Sequence, residues 1–321
     1  MNIFVTGAGG FIGSHLVESL LSDGHFVTAF VRYTSRGSAG YLDDIPSEFY
    51  EQLTVERGDI RNMSDVYSAW HNSNYIIHLA AQIAIPYSYV APHEFVDTNI
   101  MGTLNMLKMA KDTDSRMICF STSETYGTAQ SIPMTELHPQ VAQSPYSATK
   151  IGAEKLCESF YRSFGTKVVV VRPFNTFGPR QSNRAVIPSI ILQALNGATE
   201  IGLGSLEASR DFNYVYDMVR YITKIIESDC GVGHVFNLAS GEDYTLADIV
   251  KKVGILLGKE ITPIIDQKRV RPVNSEVMRL QGDASLARKT FRLDDPIDIM
   301  EGLKQTIKYF RDHIKAERFT L

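Results

Sequence analysis

An α/β fold, a doubly wound parallel sheet with a smaller C-terminal α/β lobe, is predicted by three features of this 321-residue chain. Its first half alternates short, β-branched apolar runs with segments of helical periodicity, the order that produces a parallel sheet covered on both faces. A glycine-rich turn, Thr6-Gly7-Ala8-Gly9-Gly10-Phe11-Ile12-Gly13, joins the first such run to the first such segment. After Arg172 the pattern loosens into turn-rich stretches and shorter elements.

The elements follow in order. Asn2–Thr6 is a short apolar strand, and Phe11–Ser22 carries Ile12, Leu16 and Leu20 at helical spacing. Phe26–Val31 and Leu53–Glu56 are further strands. Tyr75–Leu79 is apolar throughout, which suits a strand buried on both faces. A helix is predicted over His93–Lys111 and a strand over Arg116–Phe120. Tyr146–Phe164 is a long helix with Ala153, Leu156, Phe160 and Phe164 on its apolar face. Lys167–Val171 is another β-branched run. Beyond the turn-rich Asn175-Thr176-Phe177-Gly178-Pro179-Arg180, helices are predicted at Ile187–Leu195, Asp217–Ser228, Leu246–Leu257 and Ile297–His313. Short strands fit Phe212–Val215, Val235–Leu238 and Ile261–Ile265. The division this suggests is a dinucleotide-binding unit over residues 1–174 and a substrate lobe over 175–321, with no clean linker between them.

Composition bounds the rest. Hydrophobic residues make up 44% and charged residues 21%, the balance of an ordered globular chain rather than a disordered one. The formal charge of -4, with scattered Lys and Arg, argues against a nucleic-acid partner. No apolar run approaches the roughly 20 residues needed to span a bilayer, so no membrane partner is expected. The opening strand leads straight into a Gly loop without a signal-peptide pattern, and a reducing cytoplasm is the expectation. Three well-separated cysteines, Cys119, Cys157 and Cys230, fit neither a disulfide framework nor a zinc site. Cys119 and Cys157 read as buried structural thiols. The eight histidines show no ligand spacing, and no metal is expected.

The glycine turn carries the first chemistry. Gly7 permits the tight turn, Gly10 lets backbone approach a diphosphate, and Gly13 allows close helix–strand packing. The diphosphate would then meet the positive end of the first helix. Its place after the first strand is the context this motif requires for dinucleotide binding. At the next strand end stands Val31-Arg32-Tyr33-Thr34-Ser35-Arg36, without the acidic residue that would accept from ribose hydroxyls. Arg32 and Arg36 can pair with a 2′-phosphate, which favours NADP over NAD. Two solvated surface arginines are the alternative. Asp59, in Arg57-Gly58-Asp59-Ile60, is placed to accept from an adenine amino group or to cap a helix.

The second chemistry lies in Ser121-Thr122-Ser123-Glu124, which closes the strand ending at Phe120, together with Tyr146 and Lys150. A Tyr and a Lys four apart share one helix face. A nearby ammonium favours phenolate, making Tyr146 a usable base. Thr122 can hold the same substrate hydroxyl. Glu124 adds a second acid/base, which suggests that another proton moves besides the one an oxidation requires.

The Gly7/Gly10/Gly13 loop, His78-Leu79-Ala80-Ala81, Asn99, Thr122, Tyr146-x-x-x-Lys150 and Arg172-Pro173-x-Asn175 together resemble the extended short-chain dehydrogenase/reductase family, over essentially the whole chain. The resemblance implies a Rossmann domain, a tightly held nicotinamide cofactor and a nucleotide-diphosphate-sugar substrate. It implies a homodimer, or a dimer of dimers, formed through the His93–Lys111 and Tyr146–Phe164 helices. Carried over by position, it places Phe11, Ile12, Ile60, Leu79, Ala80, Ala81 and Asn99 at the cofactor with the glycines, Tyr146 and Lys150. On the substrate side it implies Gln82, Tyr87, Asn175, Val186, Asn237 and Glu276, with Arg210 and Arg271 for the phosphates, to which Arg180 and Arg184 are added as candidate cations. An arginine fork meets phosphate oxygens in pairs. Arg180 and Arg184 lie in a loop where plain solvation is an equal alternative.

Within the family, the Thr-Ser-Glu triplet resembles GDP-mannose-type 4,6-dehydratases. The dTDP-glucose type usually has Asp where Ser123 stands. Sugar 4-epimerases usually have small or neutral residues at Ser123-Glu124. UDP-glucuronate decarboxylases can carry the same triplet but tend to follow the diphosphate-binding arginine with Ser, whereas this chain reads Ser209-Arg210-Asp211-Phe212. The stretches Ala81–Tyr89 and Arg271–Val277 look closest to bacterial enzymes that dehydrate UDP-N-acetylglucosamine or GDP-linked relatives, those of the legionaminic acid type among them. The expectation is an NDP-hexose 4,6-dehydratase with Thr122, Ser123, Glu124, Tyr146 and Lys150 catalytic. UDP-glucuronate decarboxylation or epimerisation is the alternative reaction, and a cofactor-sensing protein without turnover is the non-enzymatic one.

Overall fold

The computed structural model describes residues 1–270, 272 and 275–313. Its strands are β1 (Asn2–Thr6), β2 (Phe26–Arg32), β3 (Leu53–Gly58), β4 (Tyr75–His78), β5 (Arg116–Phe120), β6 (Val168–Pro173), β7 (Asn175–Phe177), β8 (Glu200–Leu203), β9 (Ser209–Tyr214), β10 (Val235–Leu238), β11 (Asp243–Thr245), β12 (Thr262–Ile265) and β13 (Arg279–Leu280). Seven of them form one sheet in the order β3-β2-β1-β4-β5-β6-β10. Every pairing in it is parallel. The order reverses between β1 and β4, where Thr6 lies opposite His78. A crevice beyond the carboxyl ends at such a reversal is where open α/β sheets bind ligands.

The helices are α1 (Phe11–Ser22), α2 (Met63–Ser68), α3 (Ile85–Ser88), α4 (Pro92–Phe95), α5 (Gly102–Asp112), α6 (Pro145–Phe164), α7 (Val186–Leu195), α8 (Val215–Glu227), α9 (Leu246–Leu257), α10 (Ser285–Phe291) and α11 (Ile299–His313). Side chains of α1 and α8, among them Leu16, Leu20, Met218 and Ile222, pack on one face of the sheet against Ile3, Val5 and Ile77. Met106, Met109 and Cys157, from α5 and α6, pack on the other against Phe4, Ile76 and Met117. Strands buried on both faces explain why their sequences run apolar without alternation.

Helix α6 starts and stops where its sequence dictates. Ser144 caps it, its Oγ accepting from the Ser147 amide at 3.1 Å, while Ser147 Oγ accepts in return from the Ser144 amide. Such caps stabilise a helix by about 1 kcal/mol. Pro145 occupies the first turn, and Gly165 ends the helix in the left-handed region. The buried side of α6 is Tyr146, Lys150, Ala153, Glu154 and Cys157. Phe164, expected on the apolar face, is 56% exposed within the single chain.

The helix expected over His93–Lys111 runs without a break through α4, a π-helical stretch at Val96–Met101 that contains Asn99, and α5. The division at 174/175 does not follow the packing. Helix α8 and strand β10 return to the main sheet, with Val219, Ile225 and Leu238 inside its core. The smaller lobe has its own core, built from Ile187, Ile190, Ile191, Val250, Val253, Leu303 and Phe310. Its strand β9 pairs with β7, β11 and β13.

Candidate active site

The glycine loop is shaped to receive a diphosphate. Gly7 has φ +68°, and its amide donates to the Phe30 carbonyl. A Cβ on Gly13 would lie 2.3 Å from the Gly7 oxygen, so only glycine lets α1 begin this close to the loop. Gly10 caps α1 without any side-chain hydrogen bond. The first amides of that helix are therefore left for an anion. These residues fit a dinucleotide, and Phe11 and Ile12 open α1 beside it, both half-buried. Leu79, Ala80 and Ala81, also half-buried, follow β4 across the switch point.

Around the adenosine end the structure revises two expectations. Asp59 does not cap α2; Asn62 does, accepting from the Ser64 amide at 3.0 Å. The Asp59 carboxylate is taken by the Arg61 side chain at 2.6 to 3.0 Å, and that bond first of all holds its pKa below the usual range. Ile60 turns its side chain into the core and its carbonyl accepts from Asn105, so it has only its amide to offer. Arg32 and Arg36 are exposed at the end of β2.

The reacting residues converge at the end of β5. Ser123–Tyr126 is a 3-10 turn, capped by Thr122 Oγ, which accepts from the Glu124 amide at 3.2 Å. The Thr122 hydroxyl lies near enough to the Tyr146 hydroxyl to lower its pKa. The Tyr146 ring stands edge-on to Phe95, with centroids 6.3 Å apart, and shares a small apolar cluster with it and Ile85. Burial drives the Tyr146 pKa up, the Thr122 hydrogen bond pulls it down, and the Glu124 charge pushes it up again; the net direction is up. Glu124 is half-buried. Among the described residues its carboxylate has no hydrogen bond or ion pair. Ser123 is buried at the start of the turn.

Lys150 shares the buried face of α6 with Tyr146, as the spacing implied, and its Nζ donates to the Phe120 carbonyl at 2.6 Å. Nothing in the sequence signals that β5 offers the ammonium a carbonyl. Burial lowers the pKa of Lys150 itself.

Other side chains singled out in the sequence serve the protein. Asn99 accepts from the Gln82 amide at 2.8 Å and donates to the Gln82 carbonyl and to Thr149 Oγ1, both at 3.0 Å. Its amide therefore ties the β4 exit to α6 instead of facing a cofactor. Asn237 is fully buried, accepting from Tyr126 and donating to the Met134 and Asp283 carbonyls, so it is a framework residue and not a substrate contact. Arg180 pairs with Glu18 at 2.7 Å and donates to Ser14 Oγ, docking its loop on α1 rather than on a substrate phosphate. Arg210 pairs with Glu276 at 2.9 Å, bringing two expected substrate residues together. Asp211 is buried and accepts from Asn213, Ser240, Gly241 and Gly282. It fixes a loop and cannot read the sugar, so its value for separating dehydration from decarboxylation is indirect.

Gln82 lies on the β4 exit loop and Tyr87 in α3, with the Tyr87 ring 6.1 Å from Phe95. Asn175 opens β7, and its side-chain oxygen is buried with no partner among the described residues. Val186 begins α7, whose N-terminus has no side-chain cap. Arg184 is exposed just before it. Arg271 lies outside the described residues. No group of His, Cys, Asp or Glu among the described residues could hold a metal. Nor is any described helix long and apolar enough to cross a membrane.

A buried network behind the turn escaped the sequence reading. Glu154 accepts from Arg172 Nε and Nη2 at 2.9 and 2.6 Å, from Gln140 at 2.6 Å, and from Ser121. Removing one partner of such a pair costs about 3–5 kcal/mol. Its trace in the sequence was the four-residue spacing Tyr146, Lys150, Glu154 on one helix face. Cys119 and Cys157 are buried against each other, as reduced thiols.

Known proteins repeat this architecture. The model of the GDP-mannose 4,6 dehydratase family matches residues 4–306. UDP-glucuronic acid decarboxylase 1 of Xenopus tropicalis is 30% identical over 324 residues, covering 98% of this chain and 73% of its own. A dTDP-glucose 4,6-dehydratase of Streptomyces venezuelae, solved with NAD bound, superposes with a TM-score of 0.88 at 25% identity over 99% of both chains. A UDP-glucuronic acid 4-epimerase of Bacillus cereus, solved with UDP-glucuronic acid and NAD, gives a TM-score of 0.87 at 27% identity, covering 97% of this chain and 99% of that one. The chain therefore belongs to the GDP-mannose 4,6 dehydratase family, within the extended short-chain dehydrogenase/reductases that dehydrate, decarboxylate or epimerise nucleotide sugars.

Proposed function

We propose that the protein is a 4,6-dehydratase of a nucleotide-diphosphate hexose, with UDP-N-acetylglucosamine or a GDP-linked sugar as substrate. The observation that carries this reading is the Glu124 carboxylate. It is half-buried, within electrostatic reach of Tyr146, and unengaged among the described residues. A simple C4 oxidation needs one base, and this site offers a second.

Tyr146 Oη takes the proton of the C4 hydroxyl while Thr122 Oγ1 holds that oxygen. A nicotinamide cofactor held by the Gly7–Gly13 turn would supply the hydride acceptor for oxidation at C4 and the hydride donor for reduction at C6. The C4 ketone acidifies C5–H. Glu124 removes that proton, and the C6 hydroxyl leaves as water with a proton from Glu124 or Ser123. A proton then returns to C5. The net change is loss of one water and formation of a 4-keto-6-deoxy sugar. Arg210, Arg184 and Arg271 serve the substrate phosphates in this reading, and Asn175, its amide oxygen unpaired among the described residues, serves as a polar contact.

The cofactor is read as NADP from Arg32 and Arg36, with NAD, which the solved relatives hold, as the alternative. Dimerisation through the His93–Lys111 segment and α6 belongs to the same reading and is supported by exposed Met101, Tyr161 and Phe164.

The test is a panel of UDP-, GDP-, dTDP- and CDP-sugars read by mass spectrometry, with Glu124→Gln beside the unmodified protein in heavy water. Loss of water with deuterium at C5, abolished in Glu124→Gln, is the expected result. A variant that still loses water and incorporates deuterium at the normal rate sinks the role of Glu124. The second reading, decarboxylation of UDP-glucuronate, is favoured by the 30% identical relative. Its mark is loss of carbon dioxide. Unchanged mass with inverted stereochemistry marks an epimerase.

A further inference from the structure

The segment that carries Thr122 and Glu124 is tied at both ends to one buried ion pair. At its start, Ser121 Oγ donates to the Glu154 carboxylate. At its finish, the Tyr126 hydroxyl accepts from Arg172 Nη1 at 2.8 Å and donates to Asn237 at 2.6 Å. Arg172 closes the circuit through its two bonds to Glu154. Glu154 and Arg172 are 5% and 4% exposed. Glu154 stands one turn beyond Lys150 on α6, and Arg172 lies on β6, so the pair joins helix, sheet and turn.

Among the described residues the Glu124 carboxylate has no hydrogen bond to place it, so its position is inherited from its backbone turn and from these two anchors. We propose that Glu154 and Arg172 are positioning residues that set Thr122 and Glu124 against Tyr146, and that the C5 proton step depends on this placement more than the C4 oxidation does. The inference rests on the dehydratase reading above. Two observations favour it over mere core filling. An apolar pair of similar volume would stabilise the same space as well or better. And of the bonds that leave the pair, two go to Ser121 and Tyr126, the residues flanking the reactive stretch, while the others go to Gln140 and the Glu136 carbonyl. Tyr146 and Lys150, on the same helix as Glu154, have further supports that the turn lacks, in Phe95 and the Phe120 carbonyl. A displacement of about an ångström at a reacting group costs on the order of 10²-fold in rate.

The experiment uses Tyr126→Phe, which deletes one hydroxyl, and the double variant Glu154→Leu/Arg172→Met, which keeps an apolar core should single breaks fail to fold. Arg172→Lys tests rescue, since it retains charge but not the fork. Each is loaded with cofactor, checked for unchanged nucleotide-diphosphate affinity by calorimetry, and followed through a single turnover with quenching and mass spectrometry. The expected result is formation of the 4-keto sugar within a few fold of normal, with C5 deuterium uptake and water loss slowed about 10²-fold in Tyr126→Phe and in the double variant. Arg172→Lys should recover only part of that loss. Folded variants in which water loss stays within about twofold of normal, or in which both steps slow equally, overturn the proposal. The unmodified protein judges the dehydratase reading by itself. If it turns over a sugar nucleotide without losing water, that reading falls, and the C5 exchange ratio between variant and unmodified protein still judges the positioning.

Discussion

Lys150 Nζ donates to the Phe120 carbonyl oxygen at 2.6 Å, which clamps the second turn of α6 onto the last residue of β5. The bond sets the depth of Tyr146, one turn earlier, against Thr122. Lys150→Met removes both clamp and charge and leaves the carbonyl without this donor. Turnover should fall by about 10²-fold or more, on the scale of a lost acid/base group. Circular dichroism should show the helix intact. A steady-state assay on the substrate the panel identifies, with kcat unchanged, would contradict this.

Gly13→Ala places a Cβ 2.3 Å from the Gly7 oxygen and 2.9 Å from Ala8 Cα. Both are backbone and cannot swing aside. The first turn of α1 must therefore lift from the loop that receives the diphosphate. Cofactor affinity, measured by calorimetric titration, should weaken by more than about tenfold, or about 1.4 kcal/mol. Unaltered affinity would mean that the loop does not hold the dinucleotide.

Acid should weaken the fold through two histidines. Burial lowers the pKa of His15 to about 4 and that of His78 to about 3. Unfolded histidine titrates near 6.5. Both bind protons more readily when unfolded, so their contribution is complete above about 6.5 and is lost as pH falls toward those values. The His15 shift alone corresponds to on the order of 3 kcal/mol. Urea unfolding at pH 7, 6 and 5 should show a declining free energy, and a flat curve would rule this out.

Asp211 behaves in the opposite sense. Burial raises its pKa to about 6, against the pull of its hydrogen-bond donors. A raised folded value means that its contribution is present below about 4 and is lost as pH rises through about 6. In Asp211→Asn that dependence disappears. The new amide also faces the Gly241 and Gly282 amides, and the variant should lose about 1–3 kcal/mol. The difference between the two unfolding curves isolates the effect.

Arg180→Ala separates a docking role from a phosphate contact. Its ion pair with Glu18 is partly buried, at 18% and 29% side-chain exposure. Loss of about 1 kcal/mol of stability is expected, with KM for the sugar nucleotide unchanged within about twofold. A large rise in KM would return Arg180 to the substrate site.

The parallel sheet, the glycine turn and the α6 boundaries were legible because each is written locally: β-branched runs, a Gly spacing, and Ser144 with Pro145 at one end and Gly165 at the other. The return of α8 and β10 to the main sheet was not, because no local pattern says which sheet a short strand joins. Asn99, Asn237 and Arg180 read as ligand contacts for a similar reason. A polar residue type states what it can bond to and leaves open whether another part of the chain reaches it first.

From its order of residues alone, the chain determined that Tyr146, Lys150 and Glu154 share one face of a helix, since that depends only on a period. Which partners meet that face depends on strands far away in sequence. Phe120 took the ammonium, Arg172 took Glu154, and Glu124 was left uncommitted, because long-range packing decides which donors and acceptors come within reach once water is excluded.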